Sequence, residues 1–147
     1  MRLLLKFLFL ESSKQNINEA IKDYSFLFVR VTTGLTMLFA HGIGKMTNFS
    51  KIAENFPDPF GFLGSNLSLG LVVVSEVFGS LLLAMGLLTR WASFSLLFTM
   101  LVAAFVIHLK DPFSTKELAF TYALLFFYFT FAGGGKYSLD ALIKNKI

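Results

Sequence analysis

The sequence contains no cysteine among its 147 residues, and few of its side chains, 15%, are charged. The missing thiols exclude disulfides, thiolate catalysis and cysteine-ligated metal or iron–sulfur centres. The low charge excludes an ordinary soluble domain, in which about 25% of the residues are charged. A disordered chain is excluded as well, because hydrophobic residues make up 55% of the sequence. The composition therefore predicts an integral membrane protein.

Four long apolar runs, at 24–46, 67–88, 91–109 and 117–135, dominate the sequence. Each is long enough to cross a bilayer as a helix, which takes about 20 residues. The runs are continuous rather than alternating, which excludes membrane-spanning β-strands. Because a helix satisfies its own backbone hydrogen bonds in lipid, we expect an all-α antiparallel bundle of four transmembrane helices.

The links between the runs predict how the helices connect. Only Thr89 and Arg90 separate the second and third runs, so these two helices must be antiparallel neighbours. The third and fourth runs are joined by the short turn 110–116. The longest link, 47–66, includes the segment FPDPFGF at 56–62, whose two prolines and glycine exclude a regular helix. We expect this longer extracytoplasmic loop to lie on the membrane surface or over the mouth of the bundle.

Basic residues give the chain a net charge of +4 and lie mainly outside the apolar runs. They do not gather on one helical face, so nucleic-acid binding is not expected. One side of the predicted bundle carries twice as many lysines and arginines as the other, and cytoplasmic loops hold such an excess. We therefore expect both termini in the cytoplasm and the protein in the cytoplasmic (inner) membrane of a bacterium or archaeon. The richer side holds Arg2, Lys6, Lys14, Lys22, Arg90, Lys136, Lys144 and Lys146, and the other holds Lys45, Lys51, Lys110 and Lys116.

The predicted membrane domain covers 24–142, between a cytoplasmic segment, 1–23, and a cytoplasmic tail, 143–147. The first segment contains an apolar stretch that is interrupted by Lys6 and is too short to span. We interpret it as partly an interfacial amphipathic helix. A cleaved signal peptide is the alternative, because the stretch has the right length, although no small-residue cleavage site follows it.

Ionisable side chains within the runs are the first candidates for function, because a charge in hydrocarbon costs about 2.5–3.5 kcal/mol on insertion scales. Glu76, near the middle of the second run, and His41, in the first, are the candidates for catalysis, since both can exchange protons. Neutralisation of Glu76, or its pairing with Arg30 or His41, would relieve the cost of burial. The candidates for a polar core or a ligand site are Arg30, Lys45, His108, Glu117 and Tyr128.

Helical periodicity, about 100° per residue, groups many of these residues into two stripes. We expect both stripes to point into the bundle, because lipid offers polar groups no partner. Glycines on or near such faces would let the helices approach closely. The first stripe is Arg30, Gly34, His41 and Lys45 on the first helix, and the second is Glu117, Thr121, Leu124 and Tyr128 on the fourth.

Structural explanations for the same residues remain open. Glu76 is also suited to hold two helices together by a hydrogen bond, without any chemistry. Lys45 and Glu117 lie near the interfaces, where long side chains reach water easily. His108 is placed to cap the end of the third helix. His41 and His108 together are the minimum for axial haem ligation, and no other metal site is predicted.

In their order and spacing, the motifs from Phe28 to Leu142 resemble those of the DoxX family of small four-helix membrane proteins. The chain differs at Gly134, where the closing motif of the family typically has proline. Residues 1–23 lie outside the resemblance. The motifs are Arg30 with Gly34, HGIGKM at 41–46 with Phe49, FPDP at 56–59, Glu76 with Gly79, MGLLTR at 85–90 with Gly86 and Arg90, Met100 with Ala103 and His108, and GGGKYSLD at 133–140 with Gly133, Gly135 and Asp140.

The resemblance implies a small membrane subunit of a quinone-linked redox system, with quinone as a possible cofactor and a redox enzyme as a partner. A non-catalytic membrane anchor or assembly partner of a soluble oxidoreductase or detoxifying enzyme is the alternative. A small-solute transporter is a weaker alternative, since four short helices leave little room for alternating access unless the protein forms a homo-oligomer.

The predicted orientation can be tested with single cysteines, because the chain has none of its own. We expect a membrane-impermeant maleimide to label Asn55→Cys and Ser114→Cys in intact cells. We expect Asn145→Cys to be labelled only after the cells are permeabilised. Labelling of Asn145→Cys in intact cells would contradict the cytoplasmic placement of the termini.

Overall fold

The computed structural model describes residues 2–146, and it describes side chains from residue 16 to residue 146. These residues form helices joined by turns and contain no strand, which confirms the all-α prediction. The helices are Arg2–Met37, Ile43–Thr47, Phe49–Ala53, Ser65–Val73, Ser80–Met85, Thr89–Val102, Phe113–Ala132 and Leu139–Lys144, with π-helical turns at Leu38–Gly42, Val74–Gly79 and Ala103–Ile107.

Three of the described helices are long and apolar enough to cross a membrane, each with one π-helical turn inside it. Span 1 is Asn16–Thr47, span 2 is Ser65–Met85 and span 3 is Thr89–Ile107. The fourth predicted span forms a helix of 20 residues, Phe113–Ala132, but it is not among these three. Its first turn is polar, with the sequence STKE at 114–117, and its membrane-spanning role stays a prediction.

The N-terminal segment and the first predicted span belong to one helix. The helix begins at Arg2 and has no break at the predicted boundary between residues 23 and 24. The turn between spans 2 and 3 also differs from the prediction. It is formed by the three residues 86–88, whereas Thr89 and Arg90, predicted as the link, already belong to span 3.

The core is built from all four long helices. Span 3 packs along the fourth helix, and span 1 packs against the last part of span 2. A smaller apolar cluster lies where the short helix Phe49–Ala53 covers spans 1 and 2. The residues of the main cluster are Met37, Leu83, Leu96, Met100, Tyr122, Ala123, Phe126 and Phe129.

Many large apolar side chains point away from this core. Phe28, Phe39, Trp91 and Phe131 are each at least 66% exposed. Soluble monomers rarely expose continuous apolar surface on this scale. The outward faces are therefore compatible with contact to membrane lipid.

Glycines allow spans 1 and 2 to touch through their backbones. A Cβ atom added at Gly34 would lie 2.8 Å from the carbonyl oxygen of Ser80 and 2.9 Å from the nitrogen of Ala84. A Cβ at Gly42 would lie 2.8 Å from the carbonyl oxygen of Glu76. The close approach expected at Gly34 is thus present, and Gly42 adds a second contact beside Glu76.

We expect Gly34→Ala to lower the free energy of unfolding by about 1–3 kcal/mol, because the methyl group forces the two backbones apart. Gly70→Ala is the matched control, since Gly70 is also helical and its Cβ would meet nothing within 4 Å. Unfolding of the purified protein in detergent measures both variants. Equal stability of the two variants would contradict the close-packing account.

Candidate functional site

The carboxylate of Glu76 forms an ion pair with Lys45 inside the bundle. Lys45 Nζ lies 2.7 Å from Oε1 and 2.5 Å from Oε2 of Glu76. Glu76 is only 2% exposed, whereas the Lys45 side chain is 27% exposed. Glu76 is therefore buried, whereas its partner Lys45 reaches the protein surface.

The pair lies where two π-helical turns meet. Glu76 belongs to the turn Val74–Gly79 of span 2, and Gly42 ends the turn Leu38–Gly42 of span 1. Because Gly42 has no side chain, span 1 approaches the backbone of Glu76 closely. Helical side chains point back toward the N-terminus, so Lys45, three residues further on, reaches back to the carboxylate. Helices with such π-turns often carry functional residues there.

The structure pairs Glu76 with Lys45, not with Arg30 or His41, which were the two partners considered from the sequence as alternatives to a neutral Glu76. Arg30 bonds elsewhere, and among residues 16–146 no hydrogen bond joins His41 to Glu76. The His41 ring instead meets the edge of the Tyr122 ring, with the centroids 5.7 Å apart. Lys45 pairs with Glu76 in place of Arg30 or His41. It lies on the same stripe of span 1, one helical turn beyond His41, at the depth of the Glu76 carboxylate.

Arg30 is a structural residue at the other end of the bundle. It is 1% exposed, and its Nη1 donates to the carbonyls of Leu83 and Ala84 at 2.7 and 2.8 Å. Its Nη2 donates to the carbonyl of Tyr137 at 2.7 Å. The first two carbonyls lie in the last turn of span 2, where the helix dipole is negative and extra donors stabilise the helix end, although the Leu83 carbonyl also accepts from the Gly86 nitrogen at 3.1 Å. Arg30 thus caps span 2 and ties it to the segment after the fourth helix.

Asp140 caps the next helix from the same segment. Its Oδ1 accepts a hydrogen bond from the Leu88 nitrogen at 2.7 Å, and its Oδ2 accepts from the nitrogen and hydroxyl of Thr89 at 2.9 and 2.7 Å. Its own nitrogen donates to the Gly86 carbonyl at 2.9 Å. We call Arg30, Gly86, Thr89 and Asp140 the clasp, because they hold the turn between spans 2 and 3.

Among the glycines predicted as motif residues, Gly86 serves this clasp. Gly86 has a φ of +70°, and a Cβ there would lie 2.5 Å from Arg30 Nη1. Gly133 and Gly135 also have positive φ, and Gly133 faces the Arg90 side chain. Gly79 does a different job, since it lets span 2 approach Ser95 of span 3. Sequence reasoning named Gly86 and Asp140, but it treated Thr89 as a linker.

The remaining predicted site residues lie apart from the pair. His108 Nδ1 bonds Asp111 Oδ2 at 2.7 Å in the turn after span 3. Glu117 and Tyr128 are exposed, so the expectation that their stripe points inward was wrong. The reason is that this helix is apolar all round, and its flat and small side chains pack best against span 3. The exposed stripe is Glu117, Thr121, Leu124 and Tyr128, and the buried face is Tyr122, Ala123, Phe126 and Phe129.

An apolar groove of about 560 Å³ runs between spans 2 and 3. It extends from the long loop at Phe60 to Trp91 near the turn between the two spans. Hydroxyl groups supply its few polar atoms, and the Oγ1 of Thr99 lies 3.0 Å from the Oγ of Ser75. Ser75 precedes Glu76 on span 2, but neither Glu76 nor Lys45 lines the groove.

No cluster of three or more histidine, aspartate or glutamate side chains suited to a metal ion occurs within the described part of the chain. His41 contacts Tyr122, and His108 contacts Asp111 in an exposed turn. These separate contacts do not favour the haem alternative.

The clasp generates a prediction about pH. Burial raises the pKa of Asp140, but its hydrogen bonds from Thr89 and Leu88 and the charge of Arg30 outweigh this and lower the pKa below its usual value. A lowered carboxylate pKa stabilises the fold above the unfolded pKa, about 3.9, and the gain is lost as pH falls through the folded pKa. We expect Asp140→Asn to cost about 1–2 kcal/mol at neutral pH, as the loss of a helix cap does.

We expect this difference between the wild type and Asp140→Asn to shrink as pH falls below about 4 and to vanish only below the lowered pKa of the folded state, where the wild-type carboxyl is protonated in the fold as well. Thermal unfolding in detergent across pH measures it. Glu54→Gln, at an exposed loop position, serves as the control. A difference independent of pH would show that the charge of Asp140 contributes nothing.

The DoxX family model matches residues 25–109 of this chain, which include Arg30, His41, Lys45 and Glu76. An uncharacterized protein of Haemophilus influenzae is 35% identical over 134 residues, covering 83% of this chain and 92% of the relative. A second uncharacterized protein of the same organism is 31% identical over 114 residues, covering 73% and 76%. No solved structure matches. With more than half of the chain matched by the family model and a relative of this similarity, the chain belongs to the DoxX family.

Proposed function

We propose that this protein is the small membrane subunit of a quinone-linked redox system. The observation that carries the proposal is the Lys45–Glu76 pair, in which a buried acid with one ionic partner belongs to span 2, the helix that also forms one wall of the apolar groove. Acids buried within membrane helices are expensive and usually functional. A proton site needs an ionisable group that is reachable from one aqueous side, and the partly exposed Lys45 supports such access.

The groove between spans 2 and 3 is the proposed quinone site. It is walled by large apolar side chains such as Phe78 and Phe98, which suit an isoprenoid tail. From Trp91 to Val102 it follows eleven residues of helix, about 16 Å at 1.5 Å per residue. The Ser75 hydroxyl, which accepts a hydrogen bond from Thr99, would donate to a quinone carbonyl, and Thr99 would hold the Ser75 hydroxyl in place.

Reduction of a quinone to a quinol takes up two electrons and two protons. No residue of this chain carries electrons, so a partner oxidoreductase would supply them. Glu76 would pass protons to the reduced oxygen and regain them through the side on which Lys45 reaches the surface.

We also propose that the fourth helix crosses the membrane, which gives a four-helix bundle with both termini in the cytoplasm. The exposed side chains Leu118, Phe127 and Phe131 support lipid contact along this helix. Its packing along span 3 supports the same arrangement.

The anchor hypothesis makes a different statement about the same pair. In an anchor, Lys45 and Glu76 only hold spans 1 and 2 together, and their loss changes the stability of the protein but no activity. The neutral pair Lys45→Met/Glu76→Gln separates the two hypotheses. Removing one partner alone leaves an uncompensated buried charge, which costs about 3–5 kcal/mol, whereas replacing both partners can be nearly neutral.

We expect the double variant to accumulate in membranes like the wild type and to retain bound quinone, but to slow quinone reduction about 100-fold, the loss typical for a proton-transfer group. Quinone in the purified protein is measured by extraction, and the redox state of the quinone pool is measured in a complemented deletion strain.

Thr99→Val complements this test, because it removes a groove hydroxyl and should lower the amount of bound quinone. Thr130→Val is its control, since the Thr130 hydroxyl bonds only the Phe126 carbonyl within its own helix. If the purified wild type holds no quinone, or if the double variant keeps full quinone reduction, the redox proposal fails and the anchor remains.

A further inference from the structure

A second cavity, of about 570 Å³, lies between the start of span 1, the end of the fourth helix and the glycine segment that follows it. We call it the inner pocket. Its apolar walls include Phe26, Val29 and Phe129, and its polar rim includes Lys22, Asp23 and Lys136. It contains neither Glu76 nor any residue of the groove between spans 2 and 3, so it is independent of the proposed redox site.

The rim carries both signs of charge. Lys136 Nζ lies 3.2 Å from Asp23 Oδ2. The side chains of Lys136 and Asp23 are 65% and 30% exposed, so both can reach a ligand. Lys22 is exposed and adds a second cation beside them. A ligand that pairs with this rim must offer an anion and a cation close together.

The pocket runs along the bilayer normal, from the membrane surface into the hydrocarbon. Its charged rim lies at residues 22–23 and 136, next to the predicted membrane boundaries at residues 24 and 135. Val29 lies six residues further along span 1, about 9 Å deeper. A ligand that fills this pocket therefore has a charged end at the level of lipid headgroups and an apolar part that reaches into the hydrocarbon.

We propose that the inner pocket binds an aminophospholipid, phosphatidylethanolamine. Its phosphate would accept from the ammonium groups of Lys22 and Lys136, as in basic pockets between membrane helices. Its ammonium group would donate to the Asp23 carboxylate in a charge-assisted hydrogen bond. One acyl chain would pack against Phe26, Val29 and Phe129.

The mixed charge of the rim selects this headgroup over others. Phosphatidylglycerol has the phosphate but no cation for Asp23, which would be left opposite an anion. Phosphatidylcholine has a cation, but its three methyl groups replace the N–H donors that a carboxylate accepts. The apolar walls distinguish a lipid from a free phosphoethanolamine headgroup, which would leave them uncovered.

The experiment is native mass spectrometry of the full chain, released from micelles containing one added lipid at a time. We expect one phosphatidylethanolamine to be retained, about tenfold more than phosphatidylcholine or phosphatidylglycerol, as the loss of a charged hydrogen bond would give. Asp23→Asn should remove the preference over phosphatidylcholine, and Lys136→Gln should weaken retention of every phospholipid. Asp111→Asn is the control, because Asp111 lies in the turn after span 3 and outside the pocket.

Two results would overturn the proposal. Equal retention of the three lipids by the wild type would show that the charged rim does not distinguish between their headgroups. Binding of soluble glycerophosphoethanolamine as tight as that of the whole lipid would show a site for a solute. A thermal unfolding measurement on each variant shows whether it is folded, so a loss of binding is not mistaken for a loss of fold.

Discussion

Inside a lipid-facing bundle, a polar side chain can be stabilised only by partners that the chain itself supplies, because hydrocarbon offers none. Two such sets of partners organise this protein. At one end of the spans, Lys45 neutralises the carboxylate of Glu76. At the other end, Arg30 donates to three backbone carbonyl oxygens, two in the last turn of span 2 and one in the segment after the fourth helix. The arrangement of the helices follows from the need to complete both sets.

The two sets differ in chemistry, and the difference separates structure from candidate function. Arg30 binds only backbone carbonyls, and Asp140 accepts from the backbone nitrogens of Leu88 and Thr89 as well as from the Thr89 hydroxyl, so the clasp fixes the turn of residues 86–88. The left-handed conformation of Leu88, with a φ of +47°, is held there by the hydrogen bond from its nitrogen to Asp140. Glu76, in contrast, pairs with one partly exposed lysine, and its helix also forms one wall of a groove that is large enough for a ligand.

The comparison of sequence and structure shows which inferences periodicity supports. The prediction that the stripe of span 1 points inward is correct for Arg30, Gly34 and Lys45. Arg30 and Lys45 find their polar partners inside the bundle, and Gly34 leaves room there for the backbone of span 2. The stripe of the fourth helix is wrong because that helix is apolar on every side, so its few polar residues do not mark the inner face. Thr121 satisfies its hydroxyl on the Glu117 carbonyl of its own helix, and it therefore needs no place inside the bundle.

The sequence by itself determined that the protein is surrounded by lipid and that its fold is helical. It also identified the few charged residues in the spans. These properties depend only on composition and on the length of the apolar runs. It also marked the motif glycines and Asp140 through the family resemblance. Only the tertiary structure decided that Glu76 pairs with Lys45 and that Arg30 caps span 2. Those choices depend on how far two helices approach and how they rotate about their axes, and both are set by contacts between residues more than thirty positions apart.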